Sequence, residues 1–157
     1  MTGTVRTASP LPTELPPLIG ALLRRPIDAV HARILREAIA AGFTDLVPAH
    51  LAVLRYPGPD GRRPSDLAAE AGMSKQAMNY LLGQLEDIGY LVRSDDPDDQ
   101  RAKRVHLTER GNALRRKIRR TVAKIEQELE AELGARAYAQ LRDLLVRLND
   151  TATVRRE

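Results

Sequence analysis

Apolar residues recur along most of this chain at three- and four-residue steps, the spacing that lines one side of an α-helix. Leu15, Leu18, Ile19, Leu22 and Leu23 keep that spacing as far as Pro26. A proline suits the first turn of a helix and disrupts an interior, so a break is predicted near Arg25. The next segment puts Ile27, Val30, Ile34, Leu35 and Ala38 on a buried side and stops at Gly42, a residue that accepts the left-handed conformation of a helix end. Another helix is expected after Thr44 or Asp45 as cap, with Pro48 in its first turn and Leu46, Leu51, Val53 and Leu54 as apolar positions. The cluster Tyr56-Pro57-Gly58-Pro59-Asp60-Gly61 ends it.

A short helix opened by Pro64 and Ser65 follows, carrying Leu67, Ala68 and Ala71 and closing at Gly72. Ser74 can cap the next one, whose buried stripe is Met78, Leu81, Leu82 and Leu85 and whose end is Gly89. Tyr90 to Arg93 and Lys103 to Leu107 are β-prone and flank the polar stretch from Ser94 to Gln100, which predicts a hairpin with a long charged tip. Thr108 then caps the longest helix, with Glu109 near its positive end. Its apolar seam is Leu114, Ile118, Val122, Ile125, Leu129 and Leu133, broken at Gly134; a last helix aligns Tyr138, Leu141, Leu145 and Leu148. The unpatterned start, residues 1–14, is predicted to be a flexible arm, and 151–157 a tail.

Two short helices joined at Ala71-Gly72-Met73 form a helix-turn-helix pattern, in which the second helix offers its N-terminal residues to base edges in the major groove. That makes Ser74, Lys75, Gln76 and Asn79 the candidate readers: Gln and Asn can pair with adenine through two hydrogen bonds, and Lys and Ser can reach guanine or phosphate. The hairpin beyond them supplies a wing, with Arg101 at its tip and Lys103 and Arg104 on the return strand, placed for phosphates and the minor groove. The basic run from Arg110 to Lys124 reads as a solvated helix face, with only Arg115 or Arg116 considered for DNA.

Charge supports this picture weakly, since a net charge of +4 and a pI near 9.8 suit a polyanionic partner without demanding one. The absence of cysteine removes disulfides, thiolate metal sites and thiol nucleophiles. His31, His50 and His106 are isolated, no glycine-rich phosphate loop or nucleophile elbow occurs, and Asp95, Asp96, Asp98 and Asp99 do not follow the ligand order of a calcium loop. No enzyme, metal site or cofactor is expected. Without an apolar run long enough for a membrane or a secretory signal, a cytoplasmic protein is predicted. The seam and the apolar N-terminal segment exceed what a small winged module needs, and a second copy of the chain is their simplest use.

Leu85-Glu86-Asp87-Ile88-Gly89-Tyr90-Leu91-Val92-Arg93, then Pro97, Asp99, Arg101, Leu107-Thr108 and Gly111, resemble the multiple-antibiotic-resistance regulator (MarR) family. The resemblance covers about Leu15 to Leu148. It implies a mainly α, winged helix-turn-helix fold in one domain over 15–150, with dimerisation helices at 15–45 and 108–150 around a DNA-binding module at 46–107. It further implies a homodimer that binds double-stranded DNA at a pseudo-palindromic operator, usually as a repressor, and that lets go when a small anionic or phenolic compound binds. By the same similarity Arg101 enters the minor groove, and Asp99 holds the wing in shape through charge pairing; Asp99 can also be read as a simple turn former. Asn79, Tyr80, Gly83 and Gln84 depart from residues common in the family, so no operator carries over. Tyr80 has two readings, contact with a phosphate or thymine methyl, or packing on the preceding helix. An effector site is expected where the winged module meets the dimer helices, with Phe43, His50, Tyr56 and Tyr90 as lining candidates. Core packing for the aromatics, and a surface or capping role for His50, stand beside that reading. The alternative to a regulator is a helical dimerisation protein of winged-helix shape that does not bind DNA.

Overall fold

The structure is a computed structural model that describes residues 18–54 and 58–151, with Gln100 described by its backbone alone. The predicted arm, Leu15, Tyr56 and the tail beyond Thr151 lie outside these residues.

Helix α1 (Ile19–Ala40) runs unbroken through Pro26, against the expected break. Proline removes the donor that would meet the carbonyl of Leu22, but that turn is exposed, Leu22 by 53%, so water can take the bond. Within the chain only Ile34 and Ala38 of α1 are buried, and Ile27 is exposed. After Gly42, at φ 97°, the chain reaches a 3-10 turn at Pro48–His50 and the single turn of α2 (Leu51–Leu54). Val47, not Thr44 or Asp45, occupies the cap position; the Asp45 carboxylate is drawn instead to the Tyr90 hydroxyl at 2.6 Å and to Arg110 at 2.8 Å.

Helix α3 (Pro64–Ala71) closes on Gly72 in the left-handed region at φ 63°, and α4 (Lys75–Asp87) opens on Ser74, whose hydroxyl accepts the Ala77 N–H. Met78, Leu81, Leu82 and Leu85 of α4 are buried with Leu67, Ala68, Val53, Tyr90, Leu91, Val105 and Leu114 in one aliphatic core. That core fixes the angle between α3 and α4, which leaves the opposite side of α4 facing solvent.

The wing is an antiparallel pair, β1 (Leu91–Asp96) and β2 (Asp99–Leu107), longer and more tightly closed than the predicted charged tip. Leu91 faces Leu107 and Asp95 faces Lys103, but Asp96 faces Asp99, so Gln100, Arg101 and Ala102 form a bulge. A single bridge from Arg62 to Val105 adds a third edge, with Gly61 N–H donating to Val105 O at 2.7 Å.

Helix α5 (Glu109–Leu133) begins on Thr108, whose hydroxyl accepts Gly111 N–H and donates to Gly89 O. A Cβ on Gly111 would lie 2.2 Å from the Tyr90 carbonyl oxygen, so this close crossing of helix and strand requires glycine. Further along, Arg33 of α1 forks onto Glu128, and Glu37 accepts from Lys117 at 3.1 Å and Thr121 at 3.0 Å. Lys117, then Thr121 and Arg33, hold the Glu37 carboxyl down at about 2. Ile125 of the predicted seam is buried within the chain itself, whereas Leu129 and Leu133 are exposed. Helix α6 (Ala135–Asn149) buries none of its residues. No helix among the described residues is long and apolar enough to cross a membrane.

Candidate nucleic-acid interface

Ser74, Lys75, Gln76, Asn79 and Tyr80 are all exposed at the N-terminal half of α4, the positive end of the helix dipole. The Lys75 and Gln76 side chains make no hydrogen bond within the described residues and are available to a ligand. Asn79 is engaged at both ends of its amide: it donates to Lys75 O at 3.0 Å and accepts from Arg93 Nη1 at 3.3 Å. Arg93 also donates to Asn79 O and pairs with Glu86, tying β1 to the exposed side of α4. Sequence reasoning passed over Arg93 because a strand residue shows its cross-element partner only after folding. Tyr80 is 67% exposed, and its hydroxyl accepts from Gln84 Nε2 at 3.1 Å.

On the wing, Arg101 rides the bulge. Its backbone N–H donates to Asp99 Oδ1 at 3.0 Å, and its guanidinium has no partner among the described residues. The other two basic candidates are occupied: Lys103 pairs with Asp95 at 2.5 Å, and Arg104 with Asp96 at 3.0 Å and Asp98 at 3.1 Å while donating to Gly61 O. The acid buried beneath the wing is Asp96, which sequence reasoning did not single out. Its fully covered carboxylate takes Arg63 at 2.5 Å and the Asp98 N–H at 2.9 Å as well as Arg104. The Arg63 guanidinium, helped by the Asp98 N–H and Arg104 against the cost of burial, holds it down at about 2. In contrast, Asp99 is exposed and organises the turn through its bond to the backbone of Arg101.

A cavity of about 760 Å³ opens between α1, α2 and α5, with Val30, Ile34, Leu54 and Ile118 as apolar walls and Arg115 and Arg142 among its polar lining. None of the described effector candidates lines it. Tyr90 is wholly buried, with Arg110 4.4 Å above its ring and Phe43 6.2 Å away; burial and then the Asp45 carboxylate push its phenol up. Burial alone would raise Asp45 too, but bonds from Tyr90 and Arg110 outweigh it and leave that carboxyl low. His50 is buried and acts as a cap: Nδ1 accepts Val47 N–H at 3.3 Å. Arg115 is held by Asn112 at 2.6 Å and lies 3.6 Å from Asp60, whereas Arg116 is exposed. No group of three His, Asp or Glu side chains among the described residues could hold a metal ion.

A helix pair with its second helix bared at the N-terminus, followed at once by a two-stranded wing, defines a winged helix-turn-helix protein. The sequence model of the MarR family matches residues 44–102. The HTH-type transcriptional repressor Rv2887 of Mycobacterium tuberculosis is 27% identical over 118 residues, which span 73% of this chain and 85% of that protein. The repressor CouR bound to a 23-mer DNA duplex superposes with a TM-score of 0.63 at 25% identity, over 83% of this chain and 92% of that one. CouR from Rhodococcus jostii RHA1 bound to p-coumaroyl-CoA gives a TM-score of 0.64 at 26% identity, over 85% and 93% of the two chains. The chain thus resembles transcriptional regulators of the MarR family. Its relatives are regulators rather than enzymes.

Proposed function

We propose that this protein is a homodimeric repressor that binds a pseudo-palindromic DNA operator and releases it when a small anionic or phenolic compound enters the cavity beside α1 and α5. The observation that carries the reading is the Arg101 guanidinium on the wing bulge, without a partner among the described residues, beside a recognition helix whose Lys75 and Gln76 side chains also have none there. In this reading Ser74, Lys75, Gln76, Asn79 and Tyr80 meet the major groove and Arg101 the minor groove. Lys103 and Arg104 hold the wing's shape through Asp95 and Asp96, adding positive charge near phosphates. Two copies place their recognition helices roughly 34 Å apart, one turn of DNA. Apolar walls with arginines in the lining suit a flat organic acid, and the DNA and p-coumaroyl-CoA complexes of CouR support both halves of the scheme.

Selection of bound sequences from random duplexes, followed by titration of the winner, tests it. Binding is expected at nanomolar concentration, with log affinity falling against log salt at a slope of about −9 if the dimer neutralises about ten phosphates. Equal affinity for the selected site and for random duplex defeats the proposal.

A further inference from the structure

A chain of three hydrogen bonds runs from the 3-10 turn to the surface of the recognition helix. Val47 N–H donates to His50 Nδ1 at 3.3 Å, His50 Nε2 meets Gln84 Oε1 at 3.3 Å, and Gln84 Nε2 donates to the Tyr80 hydroxyl oxygen at 3.1 Å. The first link sets the direction of all the others. A backbone N–H can only donate, so Nδ1 is an acceptor and the ring proton sits on Nε2. Nε2–H then fixes Gln84 with its carbonyl inward and its amide outward, and the amide can only donate to Tyr80. With its oxygen occupied in this way, the phenol must send its own proton elsewhere. Tyr80 is 67% exposed and one helical turn beyond Gln76, so that proton points to solvent on the side of α4 that offers the readers.

We infer that His50 and Gln84 are positioning residues that turn the Tyr80 hydroxyl outward as a hydrogen-bond donor to DNA. Tyr80 then offers its proton to an acceptor, a phosphate oxygen or an acceptor on a base edge, in preference to meeting the amino groups of adenine and cytosine. The inference rests on the regulator reading above and deepens it. His50, only 3% exposed, keeps its end of the relay dry, which strengthens the link and fixes the orientation of Gln84.

Gln84→Glu reverses the polarity: the carboxylate still accepts from His50 but also accepts from Tyr80, drawing the phenol proton inward. Its added negative charge is present whether residue 80 is Tyr or Phe, so a cycle with Tyr80→Phe isolates the relay. On the selected operator, Gln84→Glu is expected to cost about tenfold more affinity with Tyr80 than in the Tyr80→Phe background. Gln84→Leu, uncharged, frees the hydroxyl to rotate and is expected to cost roughly threefold with Tyr80 and nothing in the Tyr80→Phe background. A coupled loss confined to one operator position identifies a base acceptor, and one uniform across sequences identifies a phosphate. Additive costs in both cycles, with wild-type binding intact, overturn the relay alone. Failure of the wild-type chain to prefer any duplex overturns the relay together with the reading beneath it.

Discussion

Arg101 and Arg104 stand three residues apart on the same strand and do opposite work. Arg104 is bound to Asp96 and Asp98, whereas the Arg101 guanidinium has no partner among the described residues and almost no core to lose. Arg101→Ala is therefore expected to weaken operator binding about tenfold to a hundredfold while leaving the thermal melting curve unchanged, measured by anisotropy titration and circular dichroism. Asp96 and Glu37 supply a pH test. Both folded carboxyls are held at about 2, below their ordinary 3.8 and 4.5, so each stabilises the fold at neutral pH. That contribution is lost as pH falls from about 4 through 2, because the unfolded chain takes up protons first. In urea unfolding at a series of pH values, Asp96→Asn is expected to be less stable than wild type at neutral pH and to lose less on acidification. A parallel decline of the two proteins would show that Asp96 does not carry the effect. The five residues from Asp95 to Asp99 contain four carboxylates in sequence. Which one is buried depends on where Arg63 and Arg104 arrive, which local pattern does not reveal.

At the scale of elements, the features written locally were legible and those decided by distant contacts were not. Ser74 and Thr108 cap their helices and Gly72 turns left-handed as expected, because each needs only a few neighbouring residues. The uninterrupted α1 and the bulged wing depend on the exposure of the turn at Leu22 and on the pull of Arg63 and Arg104 beneath Asp96, both invisible to periodicity. Glycines give a paired test of element packing. Gly111 is pinned under the Tyr90 carbonyl, so Gly111→Ala must push α5 from the wing and is expected to cost roughly 1–3 kcal/mol or more in urea unfolding. Gly83 lies inside α4 with open space where a Cβ would go, so Gly83→Ala is expected to stabilise by about 0.5–1 kcal/mol. Equal effects of the two would mean that helix propensity, not the crossing with β1, sets the choice of glycine.

For the molecule as a whole, the winged fold could be read from sequence because its apolar stripes meet in one core, from Val53 and Leu67 to Val105, which Ala38 of α1 and Leu114 of α5 complete. Among the described residues, the helices around it leave apolar faces uncovered. Ile19, Leu22 and Leu23 of α1 and Leu141, Leu144, Leu145 and Val146 of α6 are all at least 37% exposed, an apolar extent that a folded protein seldom leaves to water. Ile125 cannot report on a partner, since it is already buried at home and a charge there would damage the single chain. Leu22→Glu combined with Leu144→Glu is the discriminating change: both side chains are more than half exposed, so the isolated chain loses little by it. If the exposed faces meet a second copy, wild type sediments at about twice 17.4 kDa and the double variant near 17.4 kDa with its helical content retained. Such a monomer holds one recognition helix instead of two, so its operator affinity should fall by orders of magnitude and its salt slope by about half. A double variant that still sediments as wild type, or that loses its mass without losing operator affinity, would show that these faces do not build the DNA-binding form.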